Sequence, residues 1–258
     1  MNPFRLPSPP SLALAAALAA LAPSLAAEPL VTDRPDATES SSVVGTGVFQ
    51  LETGVAFAED SGVTAQEYLS SLLRVGLDPR TELRLAWDGF INVSDGGPDG
   101  AGDMAFGFKR YLREERGAAP EAALLVHLTA PVGDDAFSSD EFDPSFLFAF
   151  SHTLNERSSI GYNVGASLAT SEFLGRETTL SSIDYSVAYG FDVAENLGAY
   201  VELFGSAGLS ASDSPFNFNG GFAYLLDDDA QLDLFVGAGL NSDAPDVFGG
   251  FGFSRRWR

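Results

Sequence analysis

The stretch VFQLETGVAFA, residues 48–58, decides the fold. Its odd positions are Phe49, Leu51, Thr53, Val55 and Phe57; its even positions are Gln50, Glu52, Gly54, Ala56 and Ala58. One face is apolar and the other polar or small, and a period of two is the pattern of a half-buried strand. The alternation returns down the chain. Leu69, Leu73 and Val75 oppose Gln66, Ser70 and Arg74; Leu83, Leu85, Ile91 and Val93 oppose Glu82, Arg84, Asp88 and Asn92. Phe106 and Phe108 oppose Gly107 and Lys109, and Val126 and Leu128 oppose His127. Later, Tyr185 and Val187 oppose Asp184, Val201 and Leu203 oppose Glu202, and Leu232 and Leu234 oppose Asp233. Twelve strands are read between residues 47 and 258, the last reaching Trp257.

A soluble sandwich also alternates. Three features favour a membrane barrel: strand lengths suited to a tilted bilayer crossing, aromatic residues near the ends of the apolar faces, and Glu, Asp, Arg and Lys on the opposite faces. In lipid an open sheet edge leaves amides unpaired, so the sheet must close. The fold class is therefore all-β: a transmembrane up-and-down antiparallel β-barrel of twelve strands. Long connections alternate with short ones, as outer loops alternate with periplasmic turns. The outer connections at 59–67, 94–103, 133–143, 170–177, 208–214 and 241–247 are acidic, with Arg176 their single base. Arg80, Arg110, Arg113, Arg116, Arg157, Arg255, Arg256 and Arg258 fall at the other rim.

The 258 residues carry a net charge of -22, from 36 acidic and 14 basic side chains. That excludes a nucleic-acid partner, which needs a basic surface. There is no cysteine and there are two histidines, so thiolate sites, disulfides and a multi-histidine metal centre are absent. No cofactor is implied.

Residues 1–27 read as a secretory signal peptide: Arg5, an apolar Leu/Ala run over 12–21, then small residues, with cleavage expected after Ala26 or Ala27. Residues 28–46 form an N-terminal segment that is periplasmic or lumenal, and 47–258 form the barrel. Within that segment Thr32, Asp33, Arg34, Pro35 and Asp36 are a candidate plug. The candidate lumen-lining residues are Glu52, Arg74, Arg84, Asp88, Lys109, Glu121, His127, Asp184, Glu202 and Asp233. The early strands thus present a bulky charged wall, while later ones present mainly Gly, Ala and Ser. His127 lies near Ser145 or Ser151 of the next strand, but a carboxylate at the depth needed to orient it is not evident, and no catalytic residue is assigned. The loop residues Asp95, Asp99, Asp134, Asp135, Asp140 and Glu141 are Ca²⁺ candidates without EF-hand spacing; solvated acidic loops are the simpler reading.

PLVTDRPDATESSS (29–42), GDMAFGFKRYL (102–112), PEAALLVHLTAPVGD (120–134) and QLDLFVGAGLN (231–241) followed by GGFGFSRRW resemble segments of the outer-membrane transporter family named after the MetA pathway of phenol degradation. Val132 stands where that family has Thr. The resemblance covers nearly the whole mature chain. It implies an outer-membrane barrel of transporter type with no established substrate; the phenol link is a family label. The reading adopted is a passive channel for small solutes, aromatic or hydrophobic ones among those considered, and not an enzyme. The alternatives are a structural or adhesive barrel with cation-binding outer loops and a membrane-embedded hydrolase. The expected surroundings are outer-membrane lipid, lipopolysaccharide and the barrel-assembly machinery. That machinery usually reads a terminal aromatic residue; here Trp257 is penultimate and Arg258 is last.

Overall fold

The computed structural model describes residues 30–170, 178–209 and 213–258. The expected signal peptide and most of the connection at 170–177 lie outside the described residues. The strand segments are β1 (Phe49–Asp60), β2 (Val63–Asp78), β3 (Thr81–Trp87), β4 (Phe90–Val93), β5 (Asp99–Ala101), β6 (Met104–Arg113), β7 (Glu121–Ala130), β8 (Asp143–Asn155), β9 (Ser158–Thr170), β10 (Thr178–Ala194), β11 (Leu197–Gly208), β12 (Phe216–Asp227), β13 (Ala230–Gly239) and β14 (Val247–Trp257). All pairings are antiparallel; β3 pairs with β6 and β2 with both β3 and β4, the other segments pair with their chain neighbours, and β1 closes the sheet by pairing with both β2 and β14. The fourteen segments make twelve barrel spans, because β3 with β4 and β5 with β6 are each one broken strand. The start of β1 and the end of β14 meet on one rim, where Phe49 faces Trp257.

The faces follow from the alternation. Phe57, Phe106, Phe148, Phe222 and Phe251 are exposed on the outside of a closed barrel, while Gln50, Glu52, Arg74, Glu82, Lys109 and Glu202 are buried within it. A soluble protein would bury the first set and expose the second; a lipid solvent reverses the order. The outward band therefore faces hydrocarbon.

The structure corrects the register in two places. Leu69 is an extra residue in β2: Gly54 pairs with Ser70 and Val55 with Tyr68, leaving Leu69 at φ 61° between them. This bulge flips the outer part of β2, so Tyr68 and Gln66 point outward and Glu67 turns inward. On the neighbouring strand the break at Asp88–Gly89 does the same. Phe90, paired with Tyr68, faces outward, while Ile91 and Val93 leave the lipid face on which the alternation had placed them. The connection read at 59–67 shrinks to a tight Ser61–Gly62 turn, both residues at positive φ, because β1 and β2 extend past the bilayer.

Gly89 joins the two corrections. Its φ is 83°, and a Cβ there would lie 2.3 Å from the Tyr68 carbonyl oxygen beside the bulge. Gly89→Ala is expected to destabilise the barrel by about 1–3 kcal/mol. Gly96→Ala, at φ 80° but with open space around it, should cost less. Urea unfolding of both variants in lipid vesicles checks this; equal midpoints would sink it.

Candidate functional site

The inner wall of β1, β2, β3 and β6 carries Glu52, Arg74, Glu82, Arg84 and Lys109 on adjoining strands. Arg74 and Arg84 stand directly opposite one another, and Glu82 opposite Lys109. Two guanidinium groups face to face repel. What holds them is a carboxylate from outside the wall. Asp33 lies 3.2 Å from Arg74 Nη1, 2.6 Å from Arg84 Nη1 and 2.9 Å from Lys109 Nζ. Glu82 accepts from Arg74 Nε at 2.9 Å and from Arg84 Nη1 at 3.1 Å. Glu52 accepts from Arg74 Nη1 at 3.1 Å, and Glu39 takes Arg84 Nη2 on both oxygens at 2.8 and 2.9 Å. Charges so deeply buried persist only when paired and hydrogen-bonded, and here every cation has at least two acidic partners.

Residues 30–48 form a strap inside the barrel. It enters at the periplasmic rim, where the Leu30 N–H donates to the Asp228 carbonyl in the turn between β12 and β13 at 3.0 Å. The Asp33 and Arg34 N–H groups donate to Glu52 Oε2 at 2.9 and 3.1 Å, and Arg34 pairs with Asp233 at 3.3 Å. The Ala37 N–H and the Thr38 hydroxyl donate to Glu202, at 3.0 and 2.5 Å. The Glu39 N–H donates to Asn163, the Ser41 hydroxyl to Glu121 and the Val44 N–H to Glu82, at 2.7, 2.6 and 2.7 Å. The strap returns past Gly76, where the Gly47 N–H donates to the Gly76 carbonyl at 2.8 Å. A Cβ on Gly76 would lie 1.9 Å from the Gly45 oxygen, so only glycine admits the strap there. Wall carboxylates thus receive strap N–H groups that a non-regular segment would otherwise leave unpaired.

The anchoring residues occupy the periplasmic half of their strands: Glu52 is fourth in β1, Asp233 fourth in β13 and Glu121 first in β7. Outward of the strap is a polar cavity of about 370 Å³ bounded by Glu39, Glu52, Arg84, Asp88 and His127. Beside it an apolar one of about 360 Å³ is lined by Phe204, Phe235, Phe248 and Asn217. The Phe204 and Phe248 rings meet edge to face at 5.8 Å. Between the strap and the β8–β12 wall are two more, of about 490 and 350 Å³. Gly190 and Tyr200 line both; Gly198, Ala199 and Ala223 line the first, and Gly161 and Ala188 the second.

Residues 32–257 match the family described as "Putative MetA-pathway of phenol degradation". The chain belongs to this family. Among solved structures, the crystal structure of an outer membrane channel from Pseudomonas putida F1 is similar at a TM-score of 0.61 and 16% identity, over 84% of this chain and 98% of that one. The NanC porin is similar at 0.58 and 7% identity, over 80% and 98%. At such identities the likeness is one of fold, that of outer-membrane barrels. A comparison with curated proteins finds no match.

In this family member the remaining candidate residues lie as follows. His127 faces Ser145 across the β7–β8 pair, but its Nε2 accepts from Arg84 Nε at 3.0 Å, which occupies the nitrogen a general base would use. Glu121 also accepts from Tyr111 at 3.2 Å. Asp184 is held by Ser167 and Ser182 at 2.7 and 2.9 Å, apart from the strap network. Asp88 stands at the strand break, exposed, on the outer cavity. Thr32 donates to the Arg34 carbonyl and accepts from Gln231. Pro35 and Asp36 border the 490 Å³ cavity. Among the loop acids, Asp134 is spent on the Ala101 N–H at 2.7 Å, Asp95 and Asp140 sit in turns at positive φ, and Asp99 and Asp135 are exposed. Among the described residues no group of three or more His, Asp or Glu, Glu141 included, is arranged to hold a metal ion. At the periplasmic rim Glu115 accepts the Thr153 N–H at 3.0 Å, which holds its carboxyl below the usual range.

The candidate plug read from sequence ended at Asp36, whereas the strap runs on to residue 48. Glu39 and Ser40–Ser42 also engage the wall, through Asn163, Arg84, Lys109, Glu121 and Arg74, and Glu82 receives the Val44 N–H beyond them. The available signal was the inward position of Glu82 and the run of small hydroxyl residues after Thr38.

Proposed function

We propose that the protein is a passive outer-membrane channel in which small solutes cross beside a docked strap, along the bare wall of β8–β12. The reading rests on one observation. The strap consumes the charged wall of β1, β2, β3 and β6, while opposite it Gly161, Ala188, Gly190, Gly198 and Ala223 leave room that no side chain fills. The outer phenylalanine-lined cavity receives the apolar or aromatic part of a solute, and the polar periplasmic cavities release it. Passage is by diffusion and needs no cofactor, and no catalytic role is proposed, since Arg84 engages His127. In this reading residues 1–27 direct export and are removed, the barrel-assembly machinery inserts the barrel, and the acidic outer connections meet lipopolysaccharide through bridging cations.

The test is planar-bilayer recording of the refolded mature chain. Small discrete conductance steps are expected with the strap docked. A barrel that folds, as judged by heat-modifiable gel migration, yet stays electrically silent would overturn the proposal.

A further inference from the structure

We infer that Arg34 is the charge filter of the passage: its guanidinium stands between the outer and the periplasmic cavities and sets how readily cations cross. The inference rests on the channel reading above and deepens it by naming the residue that sorts solutes by charge.

Among the described residues Arg34 is the one that borders both the outer polar cavity of about 370 Å³ and the periplasmic cavity of about 490 Å³. The outer cavity also meets the cavity of about 350 Å³, at Glu39. Both oxygens of Glu39 are taken by Arg84, at 2.8 and 2.9 Å. Arg34 differs from the cations of the charged wall. The side chains of Arg74, Arg84 and Lys109 are at most 2% exposed, whereas that of Arg34 is 21% exposed. Each wall cation has several acidic partners; Arg34 pairs with Asp233 at 3.3 Å, and its Nε has no hydrogen-bond partner.

The wall is shaped to receive this side chain. Gly54 of β1 and Gly252 of β14 face each other across the seam that closes the barrel. A Cβ on Gly54 would lie 2.5 Å from Arg34 Nη2, and one on Gly252 would lie 2.4 Å from Nε and 2.6 Å from Nη2. The guanidinium thus rests on a bare shelf of two glycines. A methyl group on that shelf would push it off the wall and toward the cavities.

The surroundings give the sign of the effect. Glu39 and Glu52 border the outer cavity beside Arg34, and Asp36 borders the periplasmic one. Arg84 also borders the outer cavity but is spent on Asp33, Glu39 and Glu82, and Arg157 at the rim donates to the Asp192 carbonyl. Arg34 therefore offsets the acids at the point where the two spaces join. A charge held there between low-dielectric walls acts on every ion that passes, and its removal favours cations.

Reversal potentials of the reconstituted mature chain in potassium chloride gradients test the filter. Arg34→Gln should raise the potassium-to-chloride permeability ratio about fivefold near 0.1 M salt, the effect of one unit charge near contact in a watery medium. The rise should shrink near 1 M, where the charge is screened. Arg34→Lys, which keeps the charge, should stay close to the wild type. Gly252→Ala keeps the charge and the strap's backbone contacts but displaces the guanidinium, so it should lower the conductance. Added to Arg34→Ala, the same Gly252→Ala change should have little effect. A conducting wild type whose permeability ratio is unmoved by Arg34→Gln overturns the inference and leaves the channel reading intact. So does Gly252→Ala acting equally with and without the Arg34 side chain. A silent wild type overturns both.

Discussion

Replacing Asp33 with alanine is expected to release the strap from the barrel without unfolding the barrel. Among the described residues Asp33 is the one carboxylate that touches Arg74, Arg84 and Lys109 together, and its Oδ1 also receives the Ser40 N–H and hydroxyl at 2.9 and 2.7 Å. Removing it leaves three buried cations sharing Glu39, Glu52 and Glu82. Breaking a buried ion pair from one side costs about 3–5 kcal/mol, because the stranded charge loses its compensation and stays out of water. That cost falls on docking, since the undocked strap lets water reach the arginines. The twelve-span hydrogen-bond ladder does not depend on Asp33. The chain has no cysteine, so Val44→Cys, at a strap position that is buried when the strap is docked, is a clean reporter. Labelling by a membrane-impermeant maleimide should be slow in the Val44→Cys chain and fast when Asp33→Ala is added, and single-channel conductance should rise. Unchanged labelling and conductance would show that the strap is held by its backbone contacts to Glu52 and Glu202 instead.

The second large effect concerns the outer face. Phe148 is 43% exposed on a closed barrel, in the middle of β8, between Leu124 and Val164 on its neighbours. Arginine there would sit in hydrocarbon, at about 2–4 kcal/mol near mid-bilayer. Ser145, three residues away, faces inward on the outer polar cavity, so Ser145→Arg should cost far less. Urea titrations of folding into vesicles compare the two, and equal losses would contradict the assignment of faces. Leu73→Arg should show a smaller loss than Phe148→Arg. Leu73 pairs with Leu51, third in β1, and so lies nearer the periplasmic interface.

The sequence by itself determined the class of the fold. Alternation at residues 48–58 and its repeats, with carboxylates and arginines on the face opposite phenylalanine, has one physical solution in lipid: a closed barrel. It also determined which side chains share a face, because that depends only on the parity of residue number along a regular strand. Parity fails where one residue is added. The bulge at Leu69 and the break at Asp88–Gly89 leave no periodic mark, so Gln66, Ile91 and Val93 were read onto the wrong faces. The partners of the inward charges were likewise beyond the sequence. Asp33 meets Lys109 across 76 positions and Arg34 meets Asp233 across 199. Both meetings exist because closure of β1 onto β14 brings the start of the first strand and the end of the last to one rim, from which the strap can enter. Only the tertiary structure decided that Arg74 and Arg84 are neutralised by an inserted segment together with the wall's own Glu52 and Glu82. It alone left Asp36 and Tyr200 bordering the cavities between strap and wall, because that depends on where the strap's backbone comes to rest against a wall of small residues.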